Sequence, residues 1–148
     1  MTARAFSSVC HCGAVRAEAR LPSGDVHACH CGTCRRWSGG LEFGVDAENV
    51  IWTGEQAIGV YGSSDRAERG FCSLCGTHLR YRTMAAGDWS VNRFLASETS
   101  GLSLTGEVFV DEQPGFYSFA QTTTRQTGAK FAAEYNRRAE QSRGGSMK

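Results

Sequence analysis

The seven cysteines of this chain fall into three compact groups: Cys10 and Cys12, then Cys29, Cys31 and Cys34, then Cys72 and Cys75. An odd number of thiols cannot all pair, and no apolar stretch of the signal-peptide kind opens the chain, so reduced cysteines in the cytoplasm are expected rather than disulfides. Thiols at this spacing suit a metal. Zinc accepts thiolate at about 2.3 Å in a tetrahedral array, and a turn of one or two residues brings two sulfurs onto one ion. Gly13 and Gly76 each follow the second cysteine of a pair. A residue free to adopt positive φ there lets the chain curl so that backbone N–H groups face the sulfurs.

If the two pairs meet, Cys10, Cys12, Cys72 and Cys75 close a four-thiolate structural site, and loss of that ion is expected to unfold the protein. The other three thiols, Cys29, Cys31 and Cys34, lie close enough in sequence to share a second ion at little loop-closure cost. They supply three ligands where a closed site needs four, so the fourth position is expected to be open. Grouping Cys10 and Cys12 with Cys29 and Cys31 instead would strand Cys34 beside the last pair. His30 or His11 could serve as a fourth ligand, but a residue between two ligands usually points away from the metal, and His27 and His78 read as surface or core histidines. Scattered core or redox cysteines would not gather into three such clusters.

Zinc with three thiolates is a poorer Lewis acid than zinc held by three histidines, which argues against hydrolysis. It can take a further thiol as thiolate, a nucleophile, and the added negative charge then calls for nearby cations. Arg35 and Arg36 follow the triad immediately. They would balance that charge or bind the carboxylates of a thiol substrate; the alternative is a solvated or structural pair. Ser38, Gly39 and Gly40 either allow close backbone approach to a ligand or end the turn. Trp37, Phe43, Trp52 and Phe71 read as core, with Trp37 alone near enough in sequence to wall a pocket.

Eighteen glycines against two prolines, with short runs of Val, Phe, Tyr and Thr, predict a mainly β chain of many short strands. Strands are expected at 4–9, 14–19, 26–29, 41–45, 57–61, 66–71, 78–81, 89–93 and 107–110. Residues 32–38 suit a short helix or tight turn. A C-terminal helix capped by Thr127 would place Phe131 and Tyr135 on one face against the sheet. Residues 1–141 are expected to form one domain and 142–148 a frayed, disordered tail. Sixteen basic and fifteen acidic residues leave a net charge of +1, so nucleic acid is not an expected partner. No segment approaches the roughly 20 apolar residues of a membrane span.

The motifs Cys10-His-Cys-Gly, Cys29-His-Cys-Gly-Thr-Cys-Arg-Arg-Trp-Ser-Gly and Phe71-Cys-Ser-Leu-Cys-Gly-Thr resemble those of the glutathione-dependent formaldehyde-activating enzyme family, which also includes centromere protein V. Gly106 to Pro114 and Phe116 to Phe119 resemble the later part of its members. The resemblance implies a zinc-stabilised, tent-like arrangement of small antiparallel sheets. It assigns Cys10, Cys12, Cys72 and Cys75 to a structural zinc and Cys29, Cys31 and Cys34 to a catalytic one. It further implies a carbon–sulfur lyase that joins glutathione, or a similar thiol, to formaldehyde or another small carbonyl. Two other readings compete. One is a binding module in which both ions are structural; the other is a redox sensor whose three-thiolate site releases zinc on oxidation.

Overall fold

The computed structural model describes residues 3–92 and 95–145. The elements run β1 (Arg4–Val9), β2 (Arg16–Leu21), β3 (Asp25–Cys29), α1 (Gly32–Ser38), β4 (Glu42–Thr53), β5 (Ile58–Gly62), β6 (Ala67–Cys72), β7 (His78–Thr83), β8 (Trp89–Asn92), β9 (Ser103–Val108), β10 (Thr124–Gln126) and α2 (Gly128–Gly145). The chain is thus mainly β with a C-terminal helix. Its residues group into two compact units, Met1–Val26 with Phe43–Ser103, and His27–Glu42 with Leu104–Lys148.

In the first unit, antiparallel hydrogen bonding orders the strands β4, β8, β7, β6, β5, while β2 pairs with both β1 and β4. Alternation sets the inward face, as on β1, where Phe6 and Ser8 are buried between more exposed neighbours. Val15, Ala57 and Leu79 pack with Cys10 and Cys72 in one buried cluster, flanked by Trp52, Ile58 and Cys75. The first cysteine group is therefore part of the hydrophobic core.

β4 is much longer than the strand expected at 41–45. It pairs with β8 through Gly44 to Ala47 and then with β2 through Glu48 to Thr53. Asp46, Glu48 and Asn49 lie on its exposed side, and Asn49 takes a positive φ of 53° where the register with β2 shifts. That bulge interrupts the hydrophobic alternation from which the strand would be read. The strand expected at 89–93 ends at Asn92, and Arg93 lies outside the described residues.

In the second unit, β9 lies between β10 and β3. β10, not anticipated from the sequence, pairs with β9 in parallel, Arg125 opposite Glu107. β9 itself ends at Val108 rather than 110, because Phe109 adopts φ 57° and opens a 3₁₀ turn over Val110–Glu112. The cap of α2 is as expected: Thr127 Oγ1 accepts the N–H of Lys130 at 3.2 Å. The Asp111 carboxylate also accepts the N–H of Gly128 at 2.8 Å. Phe131 packs on Phe109, with ring centroids 5.4 Å apart, so this end of the helix docks on the 3₁₀ turn rather than on a sheet face. α2 continues to Gly145, so the first part of the segment expected to fray is helical; residues 146–148 lie outside the described residues. Among the described residues, no helix is long and apolar enough to cross a membrane.

Candidate metal and active site

Both cysteine pairs sit in hairpin connections. Cys10 to Val15 joins β1 to β2, closed by Cys10 N–H to Val15 O at 3.0 Å, and Gly13 N–H returns to Cys10 O at 3.1 Å. Ser73 to Thr77 joins β6 to β7 in the same way, with Cys72 N–H on Thr77 O at 2.8 Å and Gly76 N–H on Cys72 O at 2.7 Å. Gly13 and Gly76 have φ of 84° and 81°, the left-handed conformation expected of them. The two loops touch where His11 N–H donates to Thr77 Oγ1 at 3.1 Å.

The sulfurs of Cys10, Cys12, Cys72 and Cys75 lie within 4.8 Å of one another. Four thiolates around zinc at about 2.3 Å would stand roughly 3.8 Å apart. Cys10 to Cys12 is 3.6 Å and Cys12 to Cys72 is 3.7 Å. These residues fit a tetrahedral metal site. The N–H of Val15 donates to Cys10 Sγ at 3.3 Å, while the Thr77 hydroxyl, 3.1 Å from Cys75 Sγ, together with the Thr77 N–H holds the Cys75 thiol down at about 5. Donors that favour thiolate favour metal binding too.

Cys29, Cys31 and Cys34 form the second group, their sulfurs again within 4.8 Å of one another. Cys29 ends β3, Cys31 is the N-cap of α1, and Cys34 is buried in the first turn, its N–H donating to Cys31 Sγ at 3.3 Å. Hydrogen bonds from Cys29 and Cys34 hold the Cys31 thiol down at about 2. The same contact with Cys31 pushes Cys29 up to about 12, and Cys29 and Cys31 together push Cys34 up. The triad carries one negative charge readily and resists the next, which a shared cation would relieve. Among the described residues, no fourth Cys, His, Asp or Glu joins this group.

His30, between the first two of these cysteines, is fully buried. Its Nε2 donates to Glu107 Oε1 at 2.8 Å, which leaves Nδ1 to accept the hydroxyl proton of Tyr117 at 2.5 Å. Both ring nitrogens are engaged away from the sulfurs, so His30 does not complete the triad in this arrangement. His11 is exposed beside the other cysteine group.

Glu107, Tyr117, Thr123 and Arg125 were not singled out from the sequence. The Glu107 carboxylate is 2% exposed and accepts from His30, from the Thr123 hydroxyl and from Arg125 Nη1 at 2.8 Å to each oxygen. Burial works against its ionised form, but the donors Thr123, His30 and Arg125 outweigh burial and hold the carboxyl below its ordinary range. Burial pushes the Tyr117 phenol up, with the charge of Arg35 opposing and those of Glu107 and Cys29 adding. The sequence signals were a glutamate inside the β-rich run Thr-Gly-Glu-Val-Phe-Val and the family-like segments Gly106 to Pro114 and Phe116 to Phe119, none of which marks a partner.

Of the two arginines after the triad, Arg35 is tied down, its Nε donating to His30 O at 3.1 Å, whereas Arg36 is exposed. Gly39, at φ 79°, caps α1 by donating to Arg35 O, and the Ser38 hydroxyl donates to Cys34 O at 2.8 Å. The Ser-Gly-Gly run therefore ends the helix. Trp37 is half-buried.

A family model described as glutathione-dependent formaldehyde-activating enzyme matches residues 5–112. An uncharacterized lyase of Schizosaccharomyces pombe is 31% identical over 125 residues, covering 82% of this chain and 90% of its own. A Halomonas elongata protein provisionally named a glutathione-dependent formaldehyde-activating enzyme is 32% identical over 80 residues, 47% of this chain and 51% of its own. A solved structure of a Rhodobacter sphaeroides protein superposes with a TM-score of 0.56 at 21% identity, covering 82% of this chain and 99% of that one, a likeness of fold.

Proposed function

The chain belongs to the glutathione-dependent formaldehyde-activating enzyme family, and on that premise we propose that it is a zinc-dependent carbon–sulfur lyase joining a thiol to a small carbonyl at Cys29, Cys31 and Cys34. Glutathione and formaldehyde, the pair in the family's name, are the proposed substrates. In the forward sense the sulfur forms a bond to the carbonyl carbon, the thiol proton departs, and the carbonyl oxygen takes the π pair and a proton. In the lyase sense the same C–S bond breaks and the carbonyl returns.

The observation that carries this reading is the contrast between the two cysteine groups, one offering four sulfurs and the other three. Zinc on three thiolates would supply positive charge that favours ionisation of a further thiol. Cys29, Cys31 and Cys34 hold that ion, and Cys10, Cys12, Cys72 and Cys75 hold a structural one. Arg35 and Arg36 bind substrate carboxylates. The Nε of Arg35 donates to His30 O, which fixes this side chain beside the triad for that role. Seven free cysteines suit work in the reducing cytoplasm.

The competing reading, both ions structural with a histidine completing the triad, is opposed by the engagement of both His30 ring nitrogens. The test mixes glutathione and formaldehyde and follows S-hydroxymethylglutathione formation by NMR exchange. The zinc-loaded protein is expected to accelerate it and Cys34→Ser to return it to the spontaneous rate. Wild type no faster than the spontaneous reaction would remove this substrate pair.

A further inference from the structure

His30 is fixed at four points. Its backbone N–H donates to Val108 O on β9 at 3.1 Å, and its carbonyl accepts Arg35 Nε at 3.1 Å. Its ring donates to Glu107, the residue before Val108, and accepts from Tyr117. One strand thus grips both the main chain and the side chain of the residue lying between two thiols.

The side-chain contacts close into a ring. From His30 the path runs to Glu107, then to Arg125 Nη1, and from Arg125 Nη2 to Gln113 Oε1 at 2.9 Å. Gln113 Nε2 donates to the Tyr117 carbonyl at 2.8 Å, and the Tyr117 hydroxyl returns to His30. Every member belongs to the second compact unit. Burying a carboxylate is costly unless donors satisfy it, and here they come from three separate side chains. A simple core position would be filled more cheaply by an apolar residue.

What the ring secures follows from chain geometry. Where the backbone is extended, side chains alternate, so locking the His30 ring in one direction directs Cys29 and Cys31 together in the other. A scaffold that already holds the sulfurs together lets the site bind an ion without first ordering its own ligands.

We propose that Glu107 is a positioning residue of the cysteine triad, acting through His30 to hold Cys29 and Cys31 in register for a metal ion. This rests on the reading of the triad as a metal site. Its action is on ligand geometry, and Gln113 supports it from the far side of the ring.

The test uses the full chain with one equivalent of zinc in the four-cysteine site, then titrates Co2+ into the triad and follows the thiolate-to-cobalt charge-transfer and ligand-field bands. In Glu107→Ala the triad's Co2+ affinity is expected to fall by about tenfold to a hundredfold with shifted ligand-field bands, the usual scale for losing a group that orients metal ligands. Glu107→Gln, which keeps an acceptor for His30, is expected to recover part of that loss. Retained NMR dispersion of the β9, β10 and α2 signals, all in the second compact unit with Glu107, reports that the variants are folded. Should Glu107→Ala fail to fold, Gln113→Ala, which opens the ring but leaves the Glu107–His30 contact, is expected to lower Co2+ affinity several-fold. Unchanged affinity and bands in any folded variant of Glu107, or in Gln113→Ala, overturn the proposal. If wild type takes up no second equivalent, the metal reading of the triad falls and this proposal with it.

Discussion

Glu107 accepts the Nε2–H of His30 at 2.8 Å across 77 residues of sequence, and the two side chains are 2% and 0% exposed. Cys29 and Cys31 flank His30 directly. The pair therefore links the stability of the second compact unit to the arrangement of the triad.

That link makes stability depend on acid in a defined direction. The Glu107 carboxyl sits below its ordinary 4.5, so the folded state takes up its proton less readily than the unfolded chain does. Its stabilising contribution is complete above the ordinary value and disappears as pH falls through the lower folded value. Denaturation of wild type and Glu107→Gln across this range is expected to show the wild-type advantage shrinking below pH 4.5. An advantage that stays constant to the lowest pH would show that ionisation of Glu107 contributes nothing.

The cysteine groups were legible in the sequence because metal-ligand geometry is local. Cys-x-Cys and Cys-x-x-Cys turns announce themselves whatever surrounds them, the more so where a glycine follows, as Gly13 and Gly76 do. Glu107, Gln113, Tyr117 and Arg125 were not legible as a group, because each is defined by a partner on another element and no spacing rule marks it. The same limit explains the strand errors. β4 changes partner from β8 to β2 beside the bulge at Asn49, and β10 is too short to show alternation and exists through its pairing with β9. What tertiary pairing creates, local pattern does not reveal.

Two glycines near the four-cysteine cluster separate backbone strain from lack of room. At Gly76, φ is 81° but a Cβ would meet nothing within 4 Å, so Gly76→Ala should cost only the left-handed penalty, about 1 to 2 kcal/mol. At Gly54, φ is 84° and a Cβ would stand 1.9 Å from Ala14 O, in the loop carrying Cys10 and Cys12. Overpacking there adds roughly 1 to 3 kcal/mol. Denaturant midpoints should rank Gly54→Ala well below Gly76→Ala; equal midpoints would mean that the Ala14 carbonyl moves aside freely.

Removing thiols one at a time should distinguish the two metal groups by what is lost. Cys72 is fully buried within the core cluster of Cys10, Val15, Ala57 and Leu79. Structural zinc in small peptides contributes roughly 10 to 16 kcal/mol, more than most small domains have in total stability. Cys72→Ser should therefore yield a chain that loses the folded signal of β1, β2 and β4–β8 in circular dichroism and NMR. Strong chelation of wild type should do the same. Cys34 lies in a short helix whose neighbours are held by the His30 contacts, so Cys34→Ser should keep the fold and lose one metal equivalent of two. Metal content by atomic emission, read beside NMR dispersion, checks both. If Cys72→Ser stays folded with a single equivalent bound while Cys34→Ser unfolds, the structural and reactive roles assigned to the two groups are reversed.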